Sequence, residues 1–236
     1  MKTSTSSRVA LVSGASRGIG LAIARELLEH GWRVSAGTRG PIEALAGQSS
    51  DRYHWARFDA FDPATESAWV QAASAHFGQI DAMVHNAGIL SRQSVIDATS
   101  QEFDEIFEVN VKSPMRLTQC AWPHLKAVQN GKVIVVASLA GKRVRAAEGG
   151  LYSMSKAAAL MLAHSLRHAG DVDGIRCTAV CPGFVATDMA DGVEEGIKAQ
   201  LTQPKEIATI VRMALELPAS ASVAEIPVSW KVEAEY

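Results

Sequence analysis

The chain has 236 residues, of which 47% are hydrophobic and 20% are charged, and its formal net charge is -2. This composition is typical of a globular protein in water, and the length fits one large domain. The small net charge gives no indication of a nucleic-acid partner or an anionic membrane surface. No apolar run is long enough to span a bilayer, and the start, MKTSTSSR, lacks the apolar core of a secretory signal. We therefore expect a cytoplasmic protein.

The three cysteines, Cys120, Cys177 and Cys181, make an odd number. Their spacing matches neither a zinc site nor a disulfide framework. We expect buried, unreactive thiols in a reducing compartment and no metal site.

Short apolar segments alternate with helical patterns along the chain. Strands are predicted over RVALVSG, WRVSAGT, DRYHWARFD, IDAMVHNAG, GKVIVVAS, GIRCTAVCPG and AEIPVSW. Helices are predicted over ASRGIGLAIARELLEHG, over residues 63–77, from SQEFDEIF to HLKAV with a break near Pro114, and over residues 151–169 and 203–217. The alternation predicts an α/β fold, a doubly wound parallel sheet with helices on both faces. Without a repeat or a linker, we expect one domain over residues 1–236, with a frayed tail over 1–7.

A glycine-rich turn follows the first predicted strand. In SGASRGIG the glycines Gly14, Gly18 and Gly20 have the spacing G-x-x-x-G-x-G. Glycines permit a tight turn and let the backbone approach a pyrophosphate, and the next helix then presents its N–H groups to the anion. A strand before the turn and an amphipathic helix after it favour phosphate binding over a simple connecting turn.

Two arginines lie where a nucleotide ribose would be recognised. The second predicted strand ends in GTRG, so Thr38 and Arg39 stand where a carboxylate would otherwise bind a free 2′-hydroxyl. Arg17 lies inside the glycine turn. Two guanidinium groups suit a 2′-phosphate, although each arginine alone could equally be an ordinary solvated side chain.

Polar residues also follow the third and fourth predicted strands. Asp59 can accept a hydrogen bond from an adenine amino group, or act as a helix N-cap or turn residue before Pro63. In HNAG, Asn86 and Gly88 suit a turn beside a nucleotide. His85 ends an apolar strand, so a packing role is favoured over that of a catalytic base.

A phenol and an ammonium group lie four residues apart at the start of LYSMSKAAALMLAHSL. Tyr152 and Lys156 therefore share one helix face. A cation beside a phenol lowers the pKa of the phenol, and a tyrosine so tuned can transfer a proton at neutral pH. Ser138 follows the fifth predicted strand and can hydrogen-bond a substrate carbonyl. No G-x-S-x-G elbow surrounds it, which argues against a hydrolase.

Taken together, these residues resemble the short-chain dehydrogenase/reductase family from Val9 to about Leu217. SGASRGIG resembles the family's T-G-x-x-x-G-x-G with Ser13 for Thr, HNAG resembles N-N-A-G, and CPGFVATDM resembles P-G-x-x-x-T. Asn110, in VNVKSP, falls where the family has its catalytic Asn, and Ser138 with YSMSK completes a Ser-Tyr-Lys set.

The resemblance implies a Rossmann-type oxidoreductase that transfers a hydride between NADP(H) and a carbonyl or secondary alcohol. It implies Tyr152 as the acid–base residue, Lys156 lowering its pKa and binding ribose, Ser138 orienting the substrate oxygen, and Asn110 in a proton relay. It implies a homotetramer or a dimer, built through the helices near Phe103 and Leu151. The implied nucleotide-binding residues are Gly14, Ser16, Arg17, Gly18, Ile19, Gly20, Thr38, Arg39, Asp59, Ala60, Asn86, Ala87, Gly88, Tyr152, Lys156, Pro182, Gly183, Val185 and Thr187.

Several interpretations of the activity and of one loop stay open. The end, PASASVAEIPVSWKVEAEY, lacks the DGG of many members and looks more like small NADP-dependent hydroxy-acid and alcohol dehydrogenases. A 3-hydroxy-acid dehydrogenase is therefore an alternative, as are an epimerase or dehydratase and a non-catalytic dinucleotide-binding regulatory protein. The loop GKRVRAAEGG holds Lys142, Arg143 and Arg145 against Glu148. It is either a solvated loop or one that attracts an anionic substrate.

Overall fold

Seven parallel strands form a single sheet in the computed structural model, which describes residues 7–190 and 195–232. Each strand pairs in parallel with its neighbours, in the order β3-β2-β1-β4-β5-β6-β7. The predicted fold class is therefore confirmed. The strands are β1 (Val9–Ser13), β2 (Arg33–Thr38), β3 (Tyr53–Arg57), β4 (Ala82–His85), β5 (Lys132–Val136), β6 (Arg176–Pro182) and β7 (Glu225–Val228).

Helices cover both faces of this sheet. Apolar side chains of α1 and α7, among them Ile23, Leu27 and Val211, pack on one face, and those of α2, α4 and α5, among them Trp69 and Leu117, pack on the other. Burying such side chains is the main favourable contribution to folding. The helices are α1 (Gly18–Glu29), α2 (Pro63–Phe77), α3 (Ser100–Phe107), α4 (Ser113–Ala127), α5 (Gly150–Gly170), α6 (Glu195–Lys198) and α7 (Pro204–Glu216).

The long helical stretch between β4 and β5 is broken near Pro114, as predicted. Pro114 lies in the first turn of α4, directly after the break. The interruption is a π-helical turn, Glu108–Lys112, between α3 and α4. Such turns widen a helix locally and are frequent at functional sites. This one carries Asn110.

The apolar side chains of α5, one of the helices expected at an interface, differ in their exposure. Leu160 is buried and Leu166 packs partly buried against the core, so neither adds much exposed surface. Met154 and Met161 are 45% and 55% exposed instead. The exposed apolar face of α5 is therefore built from methionines, and the oligomer stays a prediction.

Other expectations concern the chain as a whole. The predicted tail falls on residues 1–6, outside the described residues, and on Ser7. Among the helices of the described part of the chain, none combines the length and the apolar character needed to cross a bilayer. Within those same residues, no three His, Cys, Asp or Glu side chains are grouped as a metal site would need. The single domain over residues 1–236 stays a prediction.

Candidate active site

The carboxyl ends of β1 and β4 are joined by side-chain hydrogen bonds. Ser13 donates its hydroxyl proton to the Val84 carbonyl at 3.3 Å and accepts from the backbone N–H groups of Asn86 and Ala87 at 3.0 and 3.1 Å. The Asn86 amide donates to the carbonyls of Ser13 and Gly14, both at 3.1 Å. These bonds fix the glycine turn after β1 against the turn after β4.

The glycines of this turn are required by its backbone and its packing. Gly14 and Gly18 have φ values of +66° and +54°, a region that L-residues with side chains rarely adopt. A Cβ at Gly20 would lie 2.3 Å from the Gly14 carbonyl oxygen. The glycines therefore allow both the tight turn and a close packing of backbone on backbone.

A nucleotide pyrophosphate fits the chemistry of this turn. The turn leads directly into α1, whose N-cap residue Arg17 makes no side-chain capping hydrogen bond. The first N–H groups of an α-helix have no partner within the helix, and its N-terminus carries a partial positive charge. Thr187, in the segment that follows β6, also lies close to this turn. Its Cγ2 would be 3.3 Å from a Cβ added at Gly18.

The residues expected near a 2′-phosphate have different surroundings. Arg39 is exposed at the end of β2, as an anion-binding side chain needs to be. Arg17 is exposed too, but its guanidinium pairs with the carboxylate of Asp188. Thr38 is buried, and its hydroxyl donates to the Gly40 carbonyl at 2.6 Å and accepts from Trp55 Nε1 at 2.8 Å. That hydroxyl is therefore already engaged within the protein.

Two ambiguous residues now have identifiable roles. Asp62, and not Asp59, is the N-cap of α2, since its side chain accepts from the Ala64 N–H at 3.2 Å. Asp59 accepts from the Phe61 N–H at 3.1 Å, as in a local turn. His85 is buried, its Nε2 lies 2.6 Å from Thr118 Oγ1, and burial lowers its pKa to about 3. A histidine that stays neutral at physiological pH in the interior supports the packing role.

Asn110 is held by both functions of its side-chain amide. Its Oδ1 accepts from the Ile89 N–H at 2.9 Å, and its Nδ2 donates to the Ile89 carbonyl at 3.0 Å and to Ser155 Oγ at 3.0 Å. Ser155 in turn donates to the Tyr152 carbonyl at 2.8 Å. The π-helical turn is thereby tied to the first turn of α5. Ser155 was not among the predicted site residues, although it lies inside the YSMSK motif.

Ser138, Tyr152 and Lys156 meet at the end of β5. The Ser138 hydroxyl donates to the Pro182 carbonyl at 3.2 Å and is also hydrogen-bonded to the Tyr152 side chain. Lys156 Nζ donates to the Val136 carbonyl at 3.0 Å and lies 5.8 Å from the centre of the Tyr152 ring. A Cβ at Gly88 would lie 3.5 Å from this Nζ. The structure therefore brings the Ser138 side chain together with the Tyr152–Lys156 pair, which the sequence places on a separate segment.

The surroundings of Tyr152 and Lys156 shift both of their pKa values. Burial raises the pKa of Tyr152 to about 12, and the hydrogen bond between Tyr152 and Ser138 opposes this rise. Burial also lowers the pKa of Lys156 to about 8. The lowering of the Tyr152 pKa by Lys156 stays a prediction. A protonated phenol at neutral pH suits proton donation.

The other predicted nucleotide-binding residues lie on the same edge of the sheet, in the turns that follow β1, β3, β4 and β6. They differ in exposure, since Ser16 is exposed whereas Ala60 and Val185 are buried. In chain order they are Ser16, Ile19, Ala60, Ala87, Gly183 and Val185.

The basic loop after Ser138 is partly engaged in ion pairs. Lys142 Nζ contacts Glu225 on β7, and His164 Nε2 lies 2.7 Å from the same carboxylate. Arg143 donates to the Leu139 carbonyl at 3.3 Å. Lys142 is thus a link between the loop, α5 and β7, which sequence reasoning did not predict because Glu225 is 83 residues away.

The cysteines have no catalytic environment. Cys177 and Cys181 are buried, and burial raises their pKa values to about 12 and about 11. Cys120 is only partly buried, and its pKa is raised as well, first by burial. A thiol with a raised pKa is a poor nucleophile at neutral pH.

Comparison with known proteins adds a family match. A family model described as short chain dehydrogenase matches residues 8–198. An agropine synthesis reductase of Rhizobium rhizogenes is 39% identical over 220 residues, which are 92% of this chain and 51% of that protein. The chain thus spans about half the length of that relative. A monensin polyketide synthase putative ketoacyl reductase of Streptomyces virginiae is 34% identical, over 92% of this chain and 85% of that protein.

Solved structures share the fold over almost the whole chain. An alcohol dehydrogenase from the archaeon Thermococcus sibiricus, complexed with 5-hydroxy-NADP, has a TM-score of 0.85 at 28% identity and covers 97% of this chain and 99% of its own. A closed form of serine dehydrogenase complexed with NADP+ has a TM-score of 0.86 at 24% identity, covering 97% and 98%. The second likeness concerns the fold alone.

Proposed function

The chain belongs to the short-chain dehydrogenase/reductase family, and we propose that it is an NADP(H)-dependent oxidoreductase acting on a carbonyl or secondary alcohol. The observation that carries this proposal is the meeting of Ser138, Tyr152 and Lys156 beside the glycine turn. A dinucleotide-binding protein without catalysis would not need a phenol hydrogen-bonded to a serine hydroxyl at that edge of the sheet.

The glycine turn and the start of α1 would hold the pyrophosphate, with Lys156 at the nicotinamide ribose. The bound nucleotide supplies the hydride that reduces the carbonyl carbon. Arg39, which is exposed, and Arg17 would bind the 2′-phosphate. That assignment is the ground for preferring NADP(H) to NAD(H), because arginine binds phosphate with paired, charge-assisted hydrogen bonds. The NADP-bound dehydrogenase from Thermococcus sibiricus is consistent with the preference.

The side chains at the end of β5 would handle the proton. Tyr152, protonated at neutral pH, donates its proton to the developing alkoxide, while the Ser138 hydroxyl orients the same oxygen. Hydrogen-bond donors aimed at an oxygen that gains negative charge stabilise the transition state. Lys156, buried beside Gly88 and Asn110, lies where it can return a proton to Tyr152 through an intervening water.

The second candidate is the oxidation of a hydroxy acid with the same residues in reverse roles. Its support is the basic loop after Ser138, where Arg143 and Arg145 follow Lys142. Lys142 itself is paired with Glu225, so part of the positive charge of this loop is balanced within the protein. A homotetramer, or otherwise a dimer, remains our proposal for the assembly, with the exposed Met154 and Met161 on its interface.

The direct test is a substrate screen with the purified protein. Ketones, aldehydes and hydroxy acids are offered with NADPH or NADP+, and absorbance of the reduced nicotinamide is followed. We expect turnover of at least one carbonyl compound, with kcat/KM about tenfold or more higher for NADPH than for NADH, since a charge-assisted hydrogen bond contributes about 1.5–3 kcal/mol. Product formation without net change in NADP would instead favour an epimerase or dehydratase.

A further inference from the structure

One ion pair joins the glycine turn to the segment that follows β6. Arg17, the N-cap residue of α1, pairs through Nη1 with Oδ2 of Asp188. Asp188 is the first residue of the short helical turn Asp188–Ala190. The residue before it, Thr187, lies close to the glycine turn, since its Cγ2 would be 3.3 Å from a Cβ added at Gly18. The two side chains are 171 residues apart in sequence, so only the fold brings them together.

The position of this carboxylate has a physical reason. The N-terminus of α1 carries a partial positive charge, and the side chain of its N-cap residue Arg17 makes no capping hydrogen bond. Arg17 adds a full positive charge at the same place. An anion is favoured there, and Asp188 is the protein's own anion beside Arg17.

We propose that Asp188 competes with the nucleotide 2′-phosphate for Arg17 and thereby sets the cofactor specificity of the enzyme. The inference rests on the proposed NADP(H) dependence. Arg17 cannot serve both anions with its full hydrogen-bonding capacity, and a phosphate dianion beside the Asp188 carboxylate is repelled. Each nucleotide with a 2′-phosphate therefore has to displace Asp188, whereas a nucleotide with a free 2′-hydroxyl leaves the pair intact.

Because the Arg17–Asp188 ion pair is exposed, replacing Asp188 by a phosphate at Arg17 costs little free energy. The Arg17 and Asp188 side chains are 74% and 65% exposed. Ion pairs so open to water contribute little to stability, whereas a phosphate offers arginine a doubly charged partner with several acceptor oxygens. The 2′-phosphate therefore displaces Asp188 from Arg17, but the nucleotide binds with a lower affinity than it would to an Arg17 without this ion pair.

The proposal predicts a gain of specificity on removing the carboxylate. Asp188→Asn keeps the size of the side chain and removes its charge. We expect the variant to bind NADPH about threefold to tenfold more tightly, with a much smaller change for NADH, so that the ratio of the two dissociation constants rises. Glu43→Gln is the matched control, because it removes an exposed carboxylate that follows β2 and makes no ion pair with Arg17.

The measurement is equilibrium binding of NADPH, NADH, 2′,5′-ADP and 5′-AMP by titration calorimetry, with no substrate present. The two adenosine phosphates report the 2′-phosphate contribution without the nicotinamide. The double variant Arg17→Ala/Asp188→Asn completes a cycle in which the effect of Asp188 should be clearly smaller once Arg17 is absent, because only the direct repulsion between carboxylate and phosphate then remains.

Each outcome separates the two claims. A wild-type preference for NADPH that Arg17→Ala reduces and Asp188→Asn leaves unchanged or weakens would overturn the role of Asp188 and leave the cofactor proposal intact. Equal wild-type affinities with a preference appearing only in Asp188→Asn would overturn the cofactor proposal and support the competition. Equal affinities in both proteins would overturn both.

Discussion

Replacing Lys156 with methionine should stabilise the folded protein at neutral pH while destroying its activity. Lys156 is buried, and burial lowers the pKa of its ammonium from 10.5 to about 8. The unfolded chain therefore binds the proton more tightly than the folded one. Because one pH unit corresponds to about 1.36 kcal/mol, holding this charge inside costs about 3 kcal/mol at pH 7.

The penalty depends on pH in a defined direction. It is fully present below pH 8, where the lysine is charged in both states, and it disappears as the pH rises through 10.5, where the lysine is neutral in both. Methionine fills a similar volume without a charge but loses the hydrogen bond from Nζ to the Val136 carbonyl, a loss of about 1 kcal/mol or somewhat more. We expect Lys156→Met to be more stable than wild type by about 1–2 kcal/mol at pH 7.

The assay is urea unfolding at a fixed protein concentration, followed by tryptophan fluorescence at pH 7 and at pH 10. The difference in unfolding free energy between Lys156→Met and wild type should fall by about 2–3 kcal/mol between the two pH values. Lys205→Met replaces an exposed lysine of α7 and should track wild type at both. A Lys156→Met difference that is independent of pH would refute the buried-charge reasoning.

Three further predictions concern the turn, the loop and the assembly. Gly20→Ala should abolish nucleotide binding in a calorimetric titration, because its Cβ would lie 2.3 Å from the Gly14 carbonyl oxygen; binding at wild-type strength would contradict that packing. If the basic loop selects charge, an oxo acid should be reduced faster than its neutral ester at low salt, and Arg143→Ala/Arg145→Ala should remove the advantage; equal losses on both substrates would exclude the loop. Light scattering at micromolar concentration should give a multiple of the 25.1 kDa monomer mass, and a monomer mass would refute the oligomer.

Much of the fold follows from local sequence patterns. The predicted helix over residues 63–77 coincides with α2, since Asp62 caps its start and Gly78, with φ +78°, ends it. Such start and stop residues act through neighbours in the chain, so they are readable without the fold. The break near Pro114 could be predicted from the proline, whereas the π-helical form of Glu108–Lys112 could not, because the tertiary bonds of Asn110 are not contained in the local sequence.

The candidate site also has features that the sequence predicts and features that depend on the fold. The grouping of Ser138, Tyr152 and Lys156 could be predicted because each follows or begins an element whose end lies at the carboxyl edge of the sheet. The pKa of Tyr152 could not, because it depends on burial and on the hydrogen bond with Ser138. The pairing of Arg17 with Asp188 was missed for the same reason, as it joins residues 171 apart.

The most direct test of the central claim is the activity of Tyr152→Phe together with its affinity for NADPH. The substitution removes the proton donor and leaves the glycine turn and Lys156 in place. We expect kcat for the best carbonyl substrate to fall by about 10²–10⁴, the usual contribution of a general acid, while the dissociation constant for NADPH changes less than about threefold. A variant that keeps more than about a tenth of the wild-type rate would contradict the assignment of proton transfer to Tyr152.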